Sequence, residues 1–152
     1  MKGIVTTITG KFSNSPAIQK RVGVFYLLIL FWLLFLAPFR QGTITGYNLI
    51  PLNSYAEFAE MFRPKSMLYW IVNVPGNVAA FYPIPFILFG AFSFTASVLL
   101  AILLALIIPV SIEMLQWYFA VGYANVDDVL LNFTGFLLGY WHWERRRTVR
   151  LG

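Results

Sequence analysis

Apolar residues in this chain come in long uninterrupted runs, with polar residues between the runs or at isolated positions inside them. The first run, VGVFYLLILFWLLFLAPF, lies between Arg21 and Arg40. It is close to the ~20 residues that cross a bilayer as a helix. Phe35, Ala37 and Pro38 offer no small-x-small cleavage site, so the run reads as a retained anchor rather than a signal peptide. From Ser66 to Ile112 no residue is charged, and a single helix of that length would reach roughly 70 Å, more than twice the hydrocarbon core. Two crossings are expected there, with the turn at GAFSFT, Gly90 to Thr95, where Gly, Ser and Thr gather. A last run, VLLNFTGFLLGYWHW, follows Asp127 and Asp128 and ends at Glu144. Spans are therefore expected over about 22–39, 67–89, 94–121 and 126–143.

Breakers and caps refine this pattern. NVPGNVAAFYPIPF places Pro75, Pro83 and Pro85 in the second span, which predicts a kinked helix whose freed backbone groups need partners. In the first outer loop Ser54 and Glu57 form a capping box, and Tyr55, Phe58, Ala59 and Phe62 follow at helical spacing until Pro64. That predicts a short interfacial helix, lying on the membrane surface or packed over the mouth of the bundle. The expected fold is all-α, an integral membrane four-helix bundle over residues 22–143, flanked by a basic N-terminal segment 1–21 and a basic tail 144–152.

Composition agrees: 59% of the 152 residues are hydrophobic and 11% charged, which excludes an ordinary soluble domain. The absence of cysteine removes disulfides, thiolate nucleophiles and cysteine metal sites. The net charge of +5 concentrates at the ends, with Lys2, Lys11, Lys20 and Arg21 before the first span and Arg145, Arg146, Arg147 and Arg150 after the last. By the positive-inside rule both termini are expected in the cytoplasm, which requires an even number of crossings. The terminal RRRTVR reads as a contact with inner-leaflet phosphates rather than with nucleic acid.

With topology assumed, a rise of about 1.5 Å per residue gives depth. Asp128 then lies about 25 Å above Arg145, Glu113 about 28 Å above Phe94, and Asn77 and Asn132 each about 20 Å above their inner helix ends. Polar side chains from three helices converge near the outer boundary. Intramembrane carboxylates are costly unless they pair, meet water or serve function. Glu113 has Gln116 one turn on and Pro109 four residues before it, a kink that would open space for water or a head group. The competing reading holds Glu113 by Gln116 and Arg40 purely for packing. Asp128, Asn132, Gly135 and Gly139 share one face of the last helix. The two glycines form a GxxxG packing motif, Asp127 suits a helix N-terminus, and Asn132 suits an interhelical hydrogen bond.

These residues in this order resemble the VanZ-like family of small bacterial membrane proteins. Asn48-Leu-Ile-Pro51 is similar to its first motif, Gly76-Asn77 with Phe81 and Pro83 to its second, Glu113-x-x-Gln116 to its third, and Asn125-Val-Asp127-Asp128-x-x-x-Asn132-x-x-Gly135 to its fourth. Two positions depart from the family pattern: Gly122 and Tyr123 stand where an arginine usually precedes the aspartates, and Pro85 where glycine is common. Arg40 or Arg63 would then replace that arginine as partner to the carboxylates. The resemblance implies a bacterial plasma-membrane protein acting at the cell envelope. Its founding member is associated with low-level glycopeptide resistance, to teicoplanin more than vancomycin.

Three function classes follow. In the first, Asn77, Glu113, Gln116, Asp127, Asp128 and Asn132, with Arg40, line an outward polar cavity that binds a membrane lipid, wall precursor or lipidated glycopeptide drug. Trp70, Trp117, Tyr118 and Tyr123 form an aromatic rim to that cavity or an ordinary interfacial belt. Asn48, Pro51, Pro83, Gly135 and Gly139 take structural roles. In the second, Glu113 and Asp128 act as an acid and base pair of an intramembrane enzyme or proton-coupled carrier. No nucleophile accompanies them: Ser111 has no nearby His, and His142 lies at the cytoplasmic end. Glu113, Asp127 and Asp128 carry oxygen ligands suited to Mg²⁺ or Ca²⁺, but their spacing matches no known loop, so no metal or cofactor is expected. In the third, the chain is a homodimer or a partner of envelope machinery, docked through a face such as GxxxG.

Overall fold

The computed structural model describes residues 16–37, 46–52, 64–93 and 97–151, with side chains in 64–72 and 150–151 left aside. Arg40, Arg63 and the predicted helix at 54–62 lie outside these residues, as does the side chain of Trp70. Four helical units carry the fold. Helix α1 is Pro16–Phe31 and continues as a π-helical stretch, Trp32–Leu36. Helix α2 is Pro64–Phe81, followed by a turn and a second π-helical stretch, Phe86–Ala91. Helices α3, Val98–Tyr118, and α4, Val126–Leu151, complete the set. Three stretches are long and apolar enough to cross a membrane: Pro16–Leu36, Asn73–Ala91 and Val98–Tyr118.

The expected kink in α2 occurs, but not at Pro75, which sits inside a continuous helix. The break falls at Tyr82–Pro83, where Pro83 and Pro85 each lack an amide hydrogen. The chain recovers through Ile87 N–H donating to Pro83 O at 3.2 Å, and the π-helical stretch closes with Phe92 N–H to Ile87 O at 3.0 Å. Tyr26 of α1 donates its hydroxyl to Ala80 O at 2.6 Å, just before the break. This bond fastens α1 to α2 beside the break. Tyr26→Phe is expected to cost about 1–3 kcal/mol, the penalty for a partly buried carbonyl left unpaired. Thermal unfolding of the detergent-solubilised protein checks this value.

Beyond α2 the chain reverses, Ser93 adopting φ 57°, and α3 starts at Val98 rather than Phe94 because Ser97 caps it, its Oγ accepting from Leu100 N–H at 3.1 Å. The buried face of α3 is a stripe at helical spacing: Ala101, Ala105, Pro109, Glu113 and Gln116. Two alanines with no exposed surface admit α4 closely at one end, and the stripe turns polar at the other. Helix α4 packs on both α2 and α3. It also runs eight residues past the expected span end at Trp143, so the basic tail extends the helix. The core joins Leu30, Phe81, Ile84, Phe89, Ala101, Ala105, Phe136 and Tyr140. Large apolar side chains such as Phe25, Leu28, Leu99 and Met114 lie exposed on α1 and α3, as a lipid-facing surface requires.

A two-stranded parallel sheet ties the loops. β1, Gly46–Asn48, pairs with β2, Tyr123–Asn125, in the register Gly46↔Tyr123, Tyr47↔Ala124, Asn48↔Asn125. An added Cβ at Gly46 would overlap the Tyr123 ring as it stands, so a larger residue there would displace that exposed ring.

Candidate functional site

The sheet delivers the polar residues of the two loops to the polar end of α3. Glu113, 6% exposed, accepts the backbone N–H of Asn125 at 3.0 Å through Oε2. Asn125 Oδ1 accepts from Asp127 N–H at 3.1 Å and from Asn48 Nδ2 at 3.4 Å. Asn48 closes its own turn by accepting Ile50 N–H at 3.1 Å. Asp127, 2% exposed, accepts Leu52 N–H at 2.6 Å, which holds Leu52 at φ 65° directly after Pro51. Four residues of the predicted motifs, Asn48, Glu113, Asn125 and Asp127, thus form one hydrogen-bonded chain. Two are asparagines whose importance entered only through the motif pattern, since three-residue strands have no period to detect.

A second pair lies on the α2 side, where Asn77 Nδ2 donates to Asp128 Oδ1 at 2.9 Å. One turn further along α4, Asn132 is 2% exposed and its Oδ1 has no hydrogen-bond partner among the described residues. An unmade bond of this kind costs about 1–3 kcal/mol. Gly76, beside Asn77, is exposed, and no described atom lies within 4 Å of where its Cβ would stand. Gly135 and Gly139 are the opposite case, pressed against backbone at Val78 O of α2 and at Tyr82 O of the turn that follows it.

Gln116 takes a different partner from the one anticipated. Its Nε2 donates to Leu34 O at 2.9 Å, satisfying a carbonyl that the π-helical end of α1 leaves over. It therefore anchors α1. Among the described residues the tier is closely packed: Glu113, Gln116, Asp127 and Asn132 are buried, while Asn77 and Asp128 are half-buried. Arg40 lies outside the described residues. Among those described, no group of three His, Cys, Asp or Glu side chains is placed to hold a metal ion.

At the far end of the helices, His142 bonds the Tyr82 hydroxyl through Nδ1 and receives Arg146 Nε–H at Nε2, 2.8 Å away. Arginine only donates, so Nε2 is the accepting nitrogen and the ring proton sits on Nδ1, facing Tyr82. This chain ties the break in α2 to the basic end of α4, well away from the carboxylates.

Comparison with curated proteins and with solved structures finds no match. A family model does match, that of VanZ/LLP1, over residues 23–147. That stretch runs from the first helix to the arginines of the last and contains every residue of the polar tier, so the chain is a membrane protein that belongs to the VanZ/LLP1 family.

Proposed function

We propose that the protein is a non-enzymatic envelope factor that crosses the plasma membrane four times with both termini in the cytoplasm, its polar tier facing outward. The tier binds the head group of an amphipathic ligand, a lipid, wall precursor or lipidated glycopeptide, and so lowers glycopeptide susceptibility. A fourth crossing is supported by α4 packing on both α2 and α3 while keeping its glycines and polar side chains on the covered face.

The observation that carries the binding reading is the buried, unpartnered Asn132 Oδ1, one turn from the Asn77–Asp128 pair. Such an acceptor suits a ligand offering an ammonium, hydroxyl or amide hydrogen. Gly76 leaves open space beside Asn77, a natural approach for the head group. Positioning rather than acid–base work also suits the carboxylates, since Glu113 and Asp128 each accept an N–H from a neighbouring segment.

The test compares teicoplanin and vancomycin susceptibility in hosts expressing wild type, Asp128→Asn, Glu113→Gln or Gly76→Leu at equal membrane abundance. Wild type is expected to protect more against teicoplanin, and Asp128→Asn and Gly76→Leu to lose protection several-fold, one through the pair and the other by obstructing approach. Glu113→Gln retains an oxygen for Asn125 N–H and is expected to protect. Loss of protection in Glu113→Gln with retention in Gly76→Leu would favour the acid–base reading, and no protection by wild type would overturn the assignment.

A further inference from the structure

A cleft of about 650 Å³ opens at the opposite end of the bundle, between α1, the π-helical stretch that follows α2 and the end of α4. Its size falls within the roughly 300–1,000 Å³ of small-molecule sites. Val22 and Tyr26 of α1, Phe86 and Ile87 of the second π-helical stretch, and Trp143 of α4 make an apolar lining, while Arg146 and Arg147 stand at the mouth. Gly23 closes the floor by bringing α1 onto Ile87, whose Cγ2 would lie 2.9 Å from an added Cβ.

The two guanidinium groups are held in place. Arg146 is aimed by its Nε–H bond to His142, which Tyr82 fixes in turn, and this leaves its terminal amino groups to serve as donors. Arg147 is steered by Glu144 Oε2 at 3.5 Å and lies 5.5 Å from the Trp143 ring centre. Lys20, Arg21 and Arg145 add positive charge to the same end, against the single carboxylate of Glu144. An arginine fork matches phosphate geometry with paired N–H donors, and its weak hydration suits the membrane boundary.

An apolar cleft with two oriented arginines at its rim has the charge and shape of one class of ligand. We propose that it binds an anionic phospholipid, the phosphate diester between Arg146 and Arg147 and an acyl chain along Val22, Tyr26, Phe86 and Ile87. Basic pockets between membrane helices recognise lipid head groups in this way. The site is separate from the polar tier and does not depend on the ligand proposed there.

Native mass spectrometry of the full-length protein, released from micelles holding equal amounts of dioleoyl phosphatidylglycerol and dioleoyl phosphatidylcholine, tests the proposal. Wild type is expected to retain phosphatidylglycerol about thirtyfold over phosphatidylcholine: both carry the phosphate, but the choline cation cancels its charge, and about 1 kcal/mol per arginine gives about 2 kcal/mol for the pair. Arg146→Gln with Arg147→Gln is expected to abolish the preference. Val22→Trp, a change at an exposed wall residue, is expected to reduce phosphatidylglycerol retention with both arginines present. Equal retention of the two lipids by wild type, or retention unaltered by either variant, would overturn the proposal. So would a preference that needs the arginines but survives Val22→Trp, since surface charge alone would then account for it.

Discussion

Gly139→Ala is expected to lower the unfolding temperature sharply, and Gly135→Ala with Gly139→Ala to leave little folded protein in the membrane. Each added Cβ would fall well inside van der Waals distance of a backbone carbonyl oxygen, Val78 O of α2 for Gly135 and Tyr82 O of the turn after α2 for Gly139. A backbone atom has no rotamer to change. At Gly139 relief is further blocked by Pro85 Cδ, 3.3 Å from the added atom, whose ring is part of the break itself. The two helices would have to move apart, taking Phe81 and Phe136 out of contact in the core. Overpacking of this kind costs about 1–3 kcal/mol at one site, and two sites on one interface compound it. Gly76→Ala is the control: with no described atom within 4 Å, it is expected to be neutral or to gain about 0.5–1 kcal/mol from the lower backbone entropy of alanine in a helix. Thermal unfolding followed by size-exclusion of the solubilised protein separates the cases. A Gly139→Ala protein that melts with wild type would refute the close α2–α4 contact.

The α2–α4 contact was legible in the sequence as a face, because Asp128, Asn132, Gly135 and Gly139 repeat at helical spacing, while the first helix begins six residues before and the last ends eight residues after the hydropathy-based bounds. Depth arithmetic likewise put Asn77, Glu113, Asp128 and Asn132 at one level. Level does not determine partner, however. That Asn77 meets Asp128, Glu113 meets a loop N–H and Gln116 meets Leu34 O depends on helix rotation and on the course of the loops, neither of which leaves a period in the sequence. The β1–β2 pairing was invisible for the same reason, joining three residues to three others 77 positions away. The π-helical stretches give no distinctive pattern either. The arginines after Trp143 read as a tail because of their charge, yet arginine is a good helix former, and the helix continues through them.

Asp127→Ala is expected to detach the 46–52 segment while leaving the helices folded. Asp127 joins that segment to α4 through its 2.6 Å acceptance of Leu52 N–H, a hydrogen bond to a charged group worth about 1.5–3 kcal/mol. Its carboxylate also stands in the first turn of α4, where the helix dipole adds about 0.3–1 kcal/mol. Leu52 adopts a left-handed conformation that costs an ordinary residue about 1–2 kcal/mol, so without its acceptor the turn relaxes rather than waits. Release of the turn frees Pro51 and Leu52 first, whereas the backbone N–H of residue 127 keeps its bond to Asn125 Oδ1. Hydrogen exchange should show protection lost at least about tenfold in residues 46–52, the change produced by 1.4 kcal/mol, with the amides of α3 and the middle of α4 unchanged. Asp127→Asn keeps an acceptor oxygen and gives up the charge, so it should fall between the two. If the tier binds a ligand as proposed, Asp127→Ala should also lose protection against teicoplanin, because the loop that covers the tier would no longer be in place. Unchanged exchange in the 46–52 segment of Asp127→Ala would mean that the strand pairing and the Asn48 turn hold it unaided, and the clamp would be refuted.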